Sequence, residues 1–377
     1  MLLDNLFNYL KWRADVPFSV APFNEIDNML LAELVYSNLD CVPACGEQVP
    51  IRKVRDEFFN THSREELMES SSYSAKAAVF MDEMAEAARF KDTKICFYIN
   101  EIDKEKDAQL AAMTFILGDG TVYMAFRGTD STLVGWREDF DLSYLSETEG
   151  QRRAAEYLNT VAAAVDAPLR VGGHSKGGNF AVYAASFCNR EVQDRIVKVY
   201  SNDGPGFKEE VTNSQGYMRI LPRILSIVPD TSIIGMLLSS KCKHKVIKSS
   251  AFGILQHDGF TWSVLRNGFE EAPTSDLGIF IEKMLGDWLE KMDDDTRRSF
   301  TYTVFTLFEA TGKETFHSIS EQKLKSAQAM ISSMAGLPKE QRQELLHLAG
   351  NLLKSGGHTA AEYLTARNGI RAIENAT

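Results

Sequence analysis

The 377-residue sequence predicts an α/β protein, with a mostly parallel central sheet flanked by helices and an all-helical C-terminal extension. Three observations predict it. Short runs of β-branched and aromatic residues begin at Lys94; from Glu149 such runs alternate with helix-period segments; after about residue 275 they stop.

In chain order, "EIDNMLLAELVY" (25–36) sets Ile26, Met29, Leu30 and Leu34 on one helical face, and residues 64–90 also read as helical. "KICFYINEI", "AAMTFILGDG" and "TVYMAFRGT" then read as strands, with Gly118-Asp119-Gly120 turning the second into the third. "EGQRRAAEYLNTVAAAV" returns to helical spacing through Tyr157, Leu158, Val161 and Val165, and Pro168 ends it. "LRVGG" (strand), "GGNFAVYAASFCNR" (helix), "RIVKVYS" and "ILSIVP" (strands) complete βαβ units, which imply parallel pairing. The tail carries amphipathic helical segments, clearest over 294–311, 318–335 and 338–354. This divides the chain into a sheet domain with its N-terminal helices, 1–274, and a helical extension, 275–377, packed on the sheet domain or on a second copy in a homo-oligomer.

Composition narrows the function classes. With 44% hydrophobic and 25% charged residues the chain is an ordinary globular one, and a net charge of −11 argues against a broad footprint on nucleic acid or an anionic membrane. Asp4, Lys11, Arg13 and Asp15 interrupt the first twenty residues, so no signal-peptide core is read there. No stretch reaches the ~18 apolar residues of a spanning helix. The five cysteines are scattered and odd in number, which fits a reducing, cytoplasmic compartment. Cys41 and Cys45 lack a matching Cys or His pair, so neither a metal nor another cofactor is expected.

"VGGHSKGGNFAVYAA" holds the chemistry. Gly173-His174-Ser175-Lys176-Gly177 is G-x-S-x-G between a strand and a helix, where a sharp turn lifts the serine hydroxyl clear of the sheet. Bulk two residues either side would meet neighbouring backbone, hence the glycines. Ser175 is therefore the candidate nucleophile, and it needs a base and a group to orient that base.

Both should follow the serine in the chain. His257, in "ILQHDGFTW", sits at a loop beyond an apolar run and is preferred over His244, which lies among lysines in "KCKHKVIK". For the acid, Asp230 ends the apolar strand "ILSIVP" and is preferred over Asp203, whose Gly/Pro-rich turn "SNDGPGF" gives aspartate a purely local reason to be there. The backbone N–H of Lys176, together with the N–H and hydroxyl of Thr129 at the end of "AFRGT", would form the oxyanion hole.

Assembled, "AFRGTDSTLVGWREDF", "VGGHSKGGNFAVYAA", "VYSNDGPGF" and the Asp230 and His257 segments resemble the class 3, or fungal-type, lipases of the α/β-hydrolase fold. With "YLKWRADVPFSVAPFNEIDNMLLAELVYSNLD" they are similar more closely to a bacterial lipase-like family of unassigned function, over roughly residues 8–265. The resemblance implies Ser175 as nucleophile, Asp230 as acid, His257 as base, and Thr129 with Lys176 as oxyanion donors. It also implies that residues 130–149, with Trp136 and Asp139 in a W-x-x-D pattern, lie beside the active site where such lipases carry a lid. Lys176 departs from the aliphatic residue usual after the serine. It is expected to point to solvent or, near the acyl pocket, to favour an anionic substrate.

The expected function is a serine hydrolase acting on a carboxylic ester or thioester of a small molecule or lipid. The acidic character of 130–149 argues against an emulsion-digesting lipase. A non-catalytic hydrolase scaffold used for binding or assembly, and acyl transfer to an acceptor other than water, are the alternatives.

Overall fold

The apolar runs read as strands pair into one sheet of eight, in a computed structural model described over residues 4–69, 73–130, 132–314 and 323–348 together with 350, 351 and 354. The strands are β1 (Val49–Pro50), β2 (Lys94–Asp103), β3 (Ala108–Ile116), β4 (Val122–Phe126), β5 (Leu169–His174), β6 (Ile196–Asn202), β7 (Ile224–Pro229) and β8 (His244–Ile247), standing in that order across the sheet. β1 to β4 pair antiparallel; short turns join β2 to β3 and β3 to β4, while residues 51–93 separate β1 from β2. Gly120, at φ +79, makes the second of these turns. From β4 to β8 every pairing is parallel, so the chain must cross back over the sheet between strands.

Helices fill the crossovers from β4 to β7, and a loop over 230–243 makes the one from β7 to β8. Before β2 come α1 (Leu6–Arg13), α2 (Glu25–Leu34), α3 (Ile51–Thr61), α4 (Arg64–Glu69) and α5 (Tyr73–Glu86). Between β4 and β7 lie α6 (Leu133–Asp141), α7 (Glu149–Ala164), α8 (Lys176–Phe187), α9 (Arg190–Arg195), α10 (Glu209–Thr212) and α11 (Gln215–Ile220). A small hairpin, β9 (Val264–Leu265) with β10 (Gly268–Phe269), follows β8, and then come α12 (Asp276–Glu290), α13 (Asp294–Glu309) and α14 (Lys323–Gly336). The helices expected over 318–335 and 338–354 fall partly outside the described residues.

The two faces of the sheet carry separate cores. α1, α2 and α5 bury Ile26, Leu30 and Phe80 against Phe115 and Tyr123 on one face, while α7 and α8 bury Leu158, Phe180 and Ala184 against Met124 and Val171 on the other. Each large side chain so buried contributes about 1.5–3 kcal/mol. This is the α/β-hydrolase fold, with helices added at the C-terminus.

α2 has no solvent side. Its Asp27 is fully buried and meets the equally buried Arg89 at 2.6 Å, and Arg89 donates onward to the carbonyls of Val16, Ala21 and Pro22, so neither charge is left uncompensated. Its Asn28 donates to Asn202 Oδ1 at 2.9 Å, and Asn202 Nδ2 donates to the Gly173 carbonyl at 3.0 Å. A buried polar chain thus runs from α2 to the end of β5, where the functional residues begin.

Candidate active site

Ser175 sits between β5 and α8 with φ 59 and ψ −132, a left-handed backbone position that costs a non-glycine residue roughly 1–3 kcal/mol. The surrounding backbone enforces it: the Ser175 N–H donates to the Asn202 carbonyl at 2.9 Å, and the Ser175 carbonyl accepts from Gly178 N–H at 2.8 Å. A Cβ on Gly177 would lie 2.1 Å from the Phe126 carbonyl oxygen, and one on Gly173 would lie 2.4 Å from the Gly177 carbonyl carbon, so both positions demand glycine. The serine side chain does not cap α8 and lines a cavity instead.

The imidazole of His257 lines the same cavity. Its Nδ1 faces Asp203 Oδ2 at 2.6 Å, which fixes the Nδ1–H tautomer and leaves Nε2 as the acceptor nitrogen. Asp203 is wholly buried at φ 50, where its second oxygen accepts from the Ser232 hydroxyl.

The partnership expected of Asp230 therefore belongs to Asp203. Asp230 Oδ1 instead accepts from Gln256 Nε2 at 2.8 Å, and its carbonyl accepts from both the N–H and the hydroxyl of Ser275. Asp230 holds the residue before His257 and the start of α12. The sheet order explains the difference: β6, which Asp203 directly follows, is the strand beside β5, whereas β7, which Asp230 directly follows, is one further away. His244, the alternative imidazole, bonds Ser226 Oγ through Nδ1 at 2.8 Å on β8.

Nothing in its sequence setting marks His174, one residue before the serine, as part of the site. Its ring lies on that of His257 with centroids 4.7 Å apart, and its Nε2 is 2.8 Å from the His257 carbonyl oxygen. A carbonyl only accepts, so Nε2 carries the proton. Burial, and then the neighbouring His257, hold its pKa well below the ordinary histidine value and keep it neutral. The Tyr36 hydroxyl, 3.2 Å from its Nδ1, accepts from the Gly128 N–H. Tyr36 and His174 thus join the His257 loop to the turn after β4.

That turn packs directly on the serine: a Cβ at Gly128 would be 2.8 Å from the Ser175 Cβ. Next in line, Thr129 donates its hydroxyl to Asp139 Oδ2. The single hydroxyl proton is thereby used. Burial pushes the Asp139 carboxyl up to about 6, against the opposing pull of Lys176 and the Thr129 hydroxyl.

Lys176 does not point to solvent. Its side chain is 1% exposed and runs beneath α6, where Nζ meets Glu138 Oε2 and the Gly135 carbonyl at 3.0 Å each and Asp139 Oδ1 at 4.0 Å. Glu138 in turn accepts from the N–H groups of Gln109 and Gly150 and from the Thr148 hydroxyl. Every lone-pair direction of this buried carboxylate is answered, the condition under which a buried ion pair holds. The pair fastens α6 to the elbow, leaving the Lys176 backbone N–H at the start of α8 as its available donor.

Ser175, His257 and Thr129 open into a cavity of about 1100 Å³. Its lining includes Tyr36, Asp139 and His174, apolar side chains of α6, the 233–238 loop, α12 and α13, and the polar Ser143, Arg297 and Thr301. Among the described residues, no cluster of His, Cys, Asp or Glu is arranged to hold a metal ion, and no helix is long and apolar enough to cross a membrane.

Residues 84–306 match a family model described as Mbeg1-like. A comparison with curated proteins finds no match. Among solved structures the fold is similar to the crystal structure of M37 lipase, at a TM-score of 0.36 and 13% identity, over 57% of this chain and 70% of that one.

Proposed function

The chain belongs to the Mbeg1-like family, and from that starting point we propose that it is a serine hydrolase that cleaves a carboxylic ester or thioester through an acyl-Ser175 intermediate. The observation that carries this reading is the 2.6 Å pairing of His257 with buried Asp203, on the wall of the cavity into which the strained Ser175 opens.

His257 Nε2 accepts the Ser175 proton as Oγ attacks the carbonyl carbon, and Asp203 stabilises the imidazolium that forms. Negative charge then gathers on the carbonyl oxygen, to which the N–H groups of Lys176 and Thr129 are the donors. His257 returns its proton to the departing alcohol or thiol. A water molecule, deprotonated by the same imidazole, releases the acid and restores Ser175.

A fluorophosphonate probe tests this directly, since it captures only an activated serine. Labelling of the wild-type protein and not of Ser175→Ala is the expected result. Well-folded wild-type protein that remains unlabelled would instead support a non-catalytic scaffold.

A further inference from the structure

We infer that α12 and α13 form the acyl-chain site of this enzyme, and that the substrate carries a linear, apolar acyl group lying beneath them. This rests on the serine-hydrolase reading and specifies which side of the ester the protein recognises.

The two helices are fixed over the site. Ser275 anchors the start of α12 to the Asp230 carbonyl, Arg297 of α13 donates to the Ser143 carbonyl at 2.5 Å, and the ring of Phe305 packs edge-on against Phe140 of α6 at 5.6 Å. Leu285, Trp288 and Leu289 of α12, Met292 beyond it and Phe300 of α13 turn into the same cavity as Ser175. At about 1100 Å³ the cavity exceeds most small-molecule sites, which run to ~300–1,000 Å³. It accommodates a chain as well as a reacting carbonyl.

Catalysis decides which end of the ester lies there. His257 must protonate the leaving oxygen, so the leaving group departs on the imidazole's side, where Ile254 and Leu255 are 53% and 69% exposed and the mouth meets solvent. The acyl group stays bonded to Ser175 while water enters. It is therefore the part of the substrate that needs a lasting site, and the apolar side chains of α12 and α13 on the cavity wall supply one. The lining joins polar groups, Thr129, His174 and His257 among them, to apolar side chains of α6, the 233–238 loop, α12 and α13, which suits a polar carbonyl carrying a hydrocarbon chain.

The test is a pair of ester series on the full chain: p-nitrophenyl esters lengthened from acetate to dodecanoate, and acetate esters lengthened on the alcohol side. Each methylene buried in the cavity raises kcat/KM roughly fourfold, so a steep rise with acyl length over the first several carbons is expected, and little change with alcohol length. Leu285→Trp and Leu289→Trp narrow the cavity and should lower the dodecanoate-to-acetate ratio of kcat/KM at least about tenfold. A flat acyl series, or a rise confined to the alcohol series, in protein that labels at Ser175 would overturn the acyl site while leaving the hydrolase reading intact. Absence of both labelling and turnover would remove the hydrolase reading, and this inference with it. Binding of dodecanoate by Ser175→Ala, weakened by Leu285→Trp, supplies a readout independent of turnover.

Discussion

The carboxylate of Asp203 meets Nδ1 of His257 at 2.6 Å from a left-handed position at the end of β6, one strand from the elbow that holds Ser175. Asp230, one strand further on, reaches only Gln256, the residue before the histidine. One carboxylate addresses the imidazole itself and the other the side-chain amide of the residue before it. Their substitution should therefore have unequal consequences.

Lys176 gives a prediction about stability. Lys176→Met leaves buried Glu138 without its cation, which costs about 3–5 kcal/mol. Adding Glu138→Gln removes the stranded charge and should recover part of that loss. Urea denaturation of the two variants checks the expectation. A solvent-facing lysine would instead cost less than about 0.5 kcal/mol.

Asp139 gives a prediction about pH. Its folded-state pKa, raised to about 6 from an ordinary 3.8, means the folded protein binds more protons than the unfolded chain between those values. Stability from this group is therefore fully present below about pH 4 and falls, by about 2–3 kcal/mol, as pH rises through 6. Asp139→Asn cannot ionise, so it should gain on the wild type by that amount between pH 4 and pH 7. A stability difference constant over the range would contradict the assignment.

Gly177 gives a steric prediction. Alanine is intrinsically better than glycine inside a helix by roughly 1 kcal/mol, yet a Cβ there would lie 2.1 Å from the Phe126 carbonyl oxygen, which is backbone and cannot swing aside. At Gly178 the nearest atom is the Ser201 hydroxyl at 2.9 Å, which can move. Gly177→Ala should thus lower the thermal midpoint and abolish labelling of Ser175, while Gly178→Ala has the smaller effect on both. Equal melting temperatures would remove the steric account.

What the sequence discloses follows from how local each signal is. The elbow is legible because its glycines, strand and helix lie within fifteen residues, and the parallel half is legible from alternating runs. Asp203 is not legible because an Asn-Asp-Gly-Pro-Gly turn explains an aspartate locally; the deciding fact, that β6 rather than β7 neighbours β5, belongs to sheet order. Lys176 read as exposed because lysine is seldom fully buried unless paired, and its partner Glu138 lies 38 residues earlier on another helix. The placement of α12 and α13 over the cavity is likewise tertiary, carried by contacts such as Arg297 with Ser143, 154 residues apart.

The central claim is that Asp203 orients the base for Ser175. The rate of Ser175 phosphonylation by a fluorophosphonate, compared among wild type, Asp203→Asn and Asp230→Asn, tests it most directly. Asp203→Asn should slow the reaction on the order of 10³–10⁴-fold by disturbing the tautomer, and Asp230→Asn by no more than about tenfold, the worth of one positioning hydrogen bond. The reverse ranking, with Asp230→Asn the slower, would contradict it.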